Sequence, residues 1–141
     1  MIENMKILGF NFSKLNIEKY KESLNNLQIK NEVDILEVSE VKQDFFKTEE
    51  EMIGVKFMYN VIYSPDIAKV QTEGNMLIAL DSKTAREILK DWKKKSLPEE
   101  FRITMINIIF RKAGLKALEL EDQMNLPLHM QMPSLRKKEE K

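Results

Sequence analysis

At 141 residues the chain is long enough to bury a core without disulfide or metal staples, and its length fits one domain. It has no cysteine, which excludes a disulfide framework, a thiolate metal site and a cysteine nucleophile. Lys plus Arg and Asp plus Glu stand at 23 each, and a zero net charge argues against a dedicated nucleic-acid binder, which carries a basic excess or stripe.

The first ten residues, MIENMKILGF, lack the basic start and long apolar core of a signal peptide. No apolar run approaches the ~20 residues that span a bilayer. The expectation is a soluble, cytoplasmic protein without membrane insertion. Residues 5–14 read as a first strand, because Leu8, Phe10 and Phe12 alternate with Gly9, Asn11 and Ser13. In the following NIEKYKESLNNLQ, Ile17, Tyr20, Leu24 and Leu27 fall at helical spacing, but the strand could equally run on; both alternatives stay open. A second strand spans about residues 28–42. Its inward set changes phase, from Ile29, Val33 and Ile35 to Leu36 and Val38, as a bulge or bend would produce. The polar turn QDFFKTEEE places Phe45 and Phe46 side by side in charged surroundings.

The third strand is the clearest. Ile53, Val55, Phe57, Tyr59, Val61 and Tyr63 alternate without a fault, and Met58 and Ile62 add apolar surface to the opposite face. Tyr63-Ser64-Pro65-Asp66 ends it in a turn for which Pro65 presets φ. Residues 67–80 form the returning strand, with a bulge or kink expected at Glu73-Gly74-Asn75. Asp81 or Ser82 caps a short helix in which Ala85, Ile88, Leu89 and Trp92 fall at i, i+3, i+4 and i+7.

Residues 97–133 organise the rest. Pro98 suits a first helical turn, and Glu99 and Glu100 complement the dipole there. Phe101, Met105, Ile108 and Ile109 form one apolar stripe; Ile103, Ile106, Phe110, Ala113, Ala117 and Leu120 form another. A surface helix needs only about a 100° stripe, so a second cover is expected on this one. The tail NLPLHMQMP cannot be helical through Pro127 and Pro133, and it should lie extended with Leu126, Leu128, Met130 and Met132 on one side. A charged RKKEEK end, within residues 134–141, is expected to be disordered.

Four strands followed by two helices is an α+β order: a four-stranded antiparallel sheet with two helices packed on one face, in a single domain over residues 1–133. Met58, Ile62, Ile103, Ile106 and Phe110 then lack a cover, and oligomerisation would bury them, so at least a dimer is expected.

The search for chemistry is mostly negative. The four glycines are isolated, so there is no phosphate-cradling loop. The single histidine, His129, has no partner that spacing can name and reads as structural. The acidic runs Glu49-Glu50-Glu51 and Glu119-Glu121-Asp122 lack calcium-loop spacing and read as solvated faces. The lysines of residues 90–95 are interrupted by Asp91 and Trp92 and read as ordinary surface. No metal, cofactor or catalytic residue is expected, and the chain reads as a non-enzyme.

What remains is apolar excess with polarizable character. Nine methionines include Met105, Met124, Met130 and Met132 in the organising stretch. Methionine fills irregular cores, and it is also over-used on adaptable binding surfaces. Exposed-apolar reasoning selects Phe45, Phe46, Met124, Leu126, Leu128, Met130 and Met132 as candidate polypeptide contacts.

At these residues a family resemblance enters. The end of the long helix, with Arg111, Gly114, Leu118 and Leu120 followed by Asn125-Leu126-Pro127, resembles the end of the SecB-like chaperones. The Tyr63-Ser64-Pro65-Asp66-Ile67 turn, the Glu73-Gly74-Asn75-Met76-Leu77 stretch, the helix end Leu89-Lys90-Asp91-Trp92-Lys93 and the Leu97-Pro98-Glu99-Glu100 start are similar to small archaeal SecB-like proteins. The resemblance runs roughly from Val55 to Pro133. It implies dimers or dimers of dimers, no catalysis, and ATP-independent holding of unfolded or extended polypeptide clients in exposed apolar grooves. This chain departs from the acidic bacterial members in being neutral. A close relative of that reading guards one dedicated partner, such as the antitoxin of a toxin–antitoxin pair. The competing reading is a non-catalytic oligomeric adaptor or scaffold that uses the same fold for one dedicated protein partner without chaperone work, since fold does not fix function.

Overall fold

The computed structural model describes residues 5–42 and 50–133. Four strands, β1 (Lys6–Lys19), β2 (Gln28–Val41), β3 (Glu50–Ser64) and β4 (Ala68–Asp81), precede two helices, α1 (Ser82–Trp92) and α2 (Glu99–Gln123). The strands form one antiparallel sheet in the order β1-β4-β3-β2. Both helices pack on one face, which is the α+β arrangement expected from the order of elements. Phe45 and Phe46 lie outside the described residues, as does the charged end.

The period of two along β3 decides which face is which. Ile53, Val55, Phe57, Tyr59, Val61 and Tyr63 are all buried, and their partners on β4 share that face: Ile78, Met76, Gly74, Thr72, Val70 and Ala68. The opposite, open face carries Lys56, Met58, Asn60 and Ile62 from β3 beside Asn75, Glu73, Gln71 and Lys69 from β4. Polar side chains dominate there, as on an antiparallel sheet with one solvated side.

The open alternative at the end of β1 resolves as strand, which runs on to Lys19. The expected phase change in β2 is a bulge: pairing with β3 slips between Ile35 and Glu37, so Leu36 is the extra residue. The inward set is therefore Ile29, Val33, Ile35 and Val38, and Leu36 turns outward. β4 shows no break at Gly74. The irregularities lie across from it on β1, between Ile7 and Gly9 and between Phe12 and Lys14. Gly74 is needed for close approach instead: a Cβ there would stand 2.7 Å from the Phe57 ring, which itself stacks on Phe10 at 4.8 Å.

Asp81 caps α1, its carboxylate accepting from the Thr84 N–H at 3.1 Å and the Thr84 hydroxyl at 2.7 Å. These bonds to the charged form hold the Asp81 carboxyl below its ordinary range. Along α2, Phe101, Met105, Ile109, Ala113 and Ala117 are fully buried. The second stripe read from the sequence therefore splits: Ala113 and Ala117 join the core, while Ile103 and Phe110 are exposed. The helix ends with Asn125 in the left-handed region (φ 56°), the Leu126 N–H donating to the Glu121 carbonyl at 2.9 Å and the Asn125 N–H to that of Asp122 at 3.2 Å. This is a Schellman-type stop in which asparagine does the work usual for glycine. Among the described residues no helix is long and apolar enough to cross a membrane.

Candidate functional site

A groove of about 600 Å³ opens between the edge strand β2, the end of α1 and the start of α2. Val33, Asp34, Ile35 and Leu36 form one wall; Trp92, Leu97, Arg102 and Ile106 form the other, with Lys95 and Ser96 beside them. The bulge contributes to the first wall, because it takes Leu36 out of the alternation and leaves it at the groove. Lys95 sits over the Trp92 ring at 5.0 Å, a cation–π contact that holds the indole at the groove edge.

Apolar surface continues along α2. One turn beyond Ile106 is Phe110, whose ring meets Tyr59 edge-on at 5.9 Å between centroids; Tyr59 in turn pairs with Val33 on β2. One turn further is Gly114, whose missing Cβ leaves a notch: a methyl placed there would lie 3.4 Å from Met130 Cε and 3.8 Å from His129 Nε2. Apolar positions thus recur along α2 from the groove to the tail. Leu36 at the groove, Ile103 and Phe110 on α2, and Met130 in the tail stay exposed, with Met132 beyond at 57% exposure.

The tail is fixed by polar contacts. His129 and Glu121 bury their side chains completely, with His129 Nδ1 at 2.7 Å and 2.9 Å from the two Glu121 carboxylate oxygens. A carboxylate only accepts, so Nδ1 is the donor. The His129 backbone N–H also donates to Glu121 Oε1 at 2.9 Å, and Nε2 lies 3.1 Å from the Tyr59 hydroxyl. The Tyr63 hydroxyl donates to the Pro127 carbonyl. Burial, with the Glu121 charge adding to it, pushes the Tyr59 phenol up to about 12, and burial likewise raises Tyr63. Both hydroxyls therefore remain protonated donors. With the tail in place neither side chain has an exposed atom, and the His129–Glu121 pair holds residues 126–130 against α2 and β3.

The sequence candidates divide accordingly. Met130 and Met132 are exposed at the crevice end, and Met124 and Leu128 are half-buried. Leu126 is a correction: at 5% exposure it belongs to the core, because the Schellman turn folds it back under α2. The five oligomer candidates do not make one patch. Met58 and Ile62 are half-buried on the open face, between Asp34 and Glu73 and between Lys30 and Lys69, whereas Ile103, Ile106 and Phe110 lie on the crevice side. Glu121 was missed, read as part of a solvated acidic run. The signal was present: Ala113, Ala117 and Glu121 stand four residues apart on one inward line. Among the described residues no group of three or more His, Cys, Asp or Glu side chains could hold a metal ion.

One solved structure with this architecture is the SecB-like chaperone Rv1957 of Mycobacterium tuberculosis, in complex with a ChAD peptide from the Rv1956 HigA1 antitoxin. The fold is SecB-like. The TM-score is 0.53 at 10% sequence identity, covering 95% of this chain and 93% of that one, so the likeness lies in the path of the backbone. No family model and no curated protein matches the sequence.

Proposed function

We propose that this protein is a non-catalytic, ATP-independent holdase, akin to the small archaeal SecB-like proteins, that binds unfolded or extended polypeptide in the crevice between β2 and α2. The observation that carries the reading is the set of apolar residues, Leu36 and Ile106 at the groove, Phe110 one turn on and Met130 in the tail, that recurs along one side of α2 in a SecB-like fold. Extended clients expose apolar side chains that folded proteins hide, and weak contacts along a long crevice add up through avidity. Methionine at its end supplies an unbranched, polarizable contact that adapts to varied side chains. The working form is a cytoplasmic homo-oligomer, a dimer or a dimer of dimers, in which further crevices multiply the contact.

The test is suppression of aggregation. An aggregation-prone protein is denatured and diluted into ATP-free buffer with stoichiometric amounts of this chain, and light scattering is followed. Suppression is expected, and Met130→Ser with Met132→Ser should weaken it while the oligomer stays intact by light-scattering mass. Undiminished aggregation across several clients would overturn the general holdase.

A second reading is favoured by the peptide seated in the solved neighbour, which comes from one antitoxin. Here the crevice serves one dedicated protein partner as an adaptor. Failure of general suppression, together with a single protein that copurifies with the wild-type chain and is lost with the double serine variant, would select it.

A further inference from the structure

Beyond the groove, the same side of α2 ends at a cleft that is already occupied, and the occupant is the chain's own tail. Residues 126–130 leave the helix at Asn125, carry Pro127, adopt no regular secondary structure and bend at His129 and Met130, so their backbone groups are free to bond outside the segment. Four residues receive them through five contacts. Glu121 accepts the imidazole and the backbone N–H of His129, Tyr59 meets the other ring nitrogen, Tyr63 donates to a backbone carbonyl, and the Gly114 notch seats the Met130 methyl. Two of these five address backbone atoms, which any chain could offer. The other three read side chains: a buried carboxylate and a phenol for an N–H-bearing ring, and a notch for a slender apolar end.

We propose that the cleft formed by Tyr59, Tyr63, Gly114 and Glu121 is a segment-recognition site for extended polypeptide of the Leu-Pro-Leu-His-Met type, filled in cis by the tail, which thereby competes with outside segments for this end of the crevice. Recognition of the tail stands on the contacts alone; competition with clients rests on the holdase reading. Attachment gives the tail a high effective concentration at the cleft, so a free segment enters only when the cis segment is weakened.

The experiment uses the full chain and a fluorescein-labelled synthetic peptide of residues 125–133, followed by fluorescence anisotropy. His129→Ala with Met130→Ser alters the tail alone and leaves the four receiving residues in place. The peptide is expected to bind this variant at least about tenfold more tightly than wild type, a change of one decade in dissociation constant. A control peptide with alanine for histidine should lose about as much again, since it leaves the carboxylate without its donor. His129→Asn, which retains one amide donor towards Glu121, guards against loss of fold: it should melt closer to wild type and bind the peptide at intermediate affinity. Equal binding of the two peptides, or no binding to either folded variant, would overturn recognition. For competition, the unlabelled peptide should displace an aggregation-prone client from the variant, with a rise in light scattering. Peptide binding without displacement would overturn competition and leave recognition standing. A wild-type chain that suppresses no aggregation while its variants still bind the peptide would overturn the holdase reading and not the cleft.

Discussion

The long helix and the tail that follows it are continuous in sequence and packed on the same side of the sheet, yet different forces hold them. α2 is held by apolar burial, with Phe101, Met105 and Ile109 wholly removed from water. That force is non-directional and tolerates repacking. The tail is held by directional contacts to His129, Pro127 and Leu126, each with a named donor and acceptor. Only Leu126 among its apolar residues is in the core. A segment held this way is placed at one position, and it can be released by losing a few bonds without dissolving the core beneath it.

That difference can be broken at either end. The largest effect is expected from Phe101→Ala, which empties a fully buried site in the first turn of α2 and should cost about 3–5 kcal/mol. Urea unfolding would read this as a lower midpoint at unchanged slope; a cost below ~1 kcal/mol would mean that the helix is not anchored by that face. Glu121→Gln keeps the volume and removes the charged acceptor, and should cost about 2 kcal/mol, the scale of hydrogen bonds to charged groups. Hydrogen exchange should then quicken at residues 126–130 while the first turns of α2 stay protected. If both regions exchange together, tail and helix are one unit and the contrast fails.

Tyr59→Phe sharpens the same contrast with a smaller change, about 1 kcal/mol for one hydroxyl. It also has a signature in pH. Buried Tyr59 keeps its proton up to about 12, against 10.0 for the exposed phenol. Its contribution is therefore complete below pH 10 and is lost as pH rises from there through about 12, because the unfolded chain ionises first. Removing the hydroxyl should flatten that alkaline decline in thermal unfolding. An unaltered decline would assign it to other groups.

Much of the architecture was legible because periodicity records burial directly. The faultless alternation of β3 defined both the strand and its buried face, and a cap at Asp81 or Ser82 was visible from their place before Ala85 and Ile88, with the structure selecting Asp81. The phase slip in β2 announced its bulge, although Leu36 itself turned out of the inward set. Gly74 carried a real signal that was attached to the wrong strand: it permits close approach to Phe57 while the neighbouring strand β1 bears the irregularities. The tail was the least legible part. Apolar alternation put Leu126, Leu128, Met130 and Met132 on one side, whereas a left-handed residue and a buried histidine decide where they go. Hydropathy does not register that a glutamate on an inward line needs a donor eight residues later.

Because Asn125 alone redirects the chain where α2 stops, the bearing of the tail is tied to the number of residues in the helix. Each residue turns an α-helix by about 100°, so inserting or deleting one between Gly114 and Asn125 would swing the exit a quarter-turn or more and carry His129 away from the Gly114 notch. A change of three or four residues would nearly restore the bearing and shift the tail by about 5 Å along the axis instead. Variation in length along this part of the chain is thus constrained in steps: the crevice end tolerates substitution more readily than it tolerates a single-residue change in count.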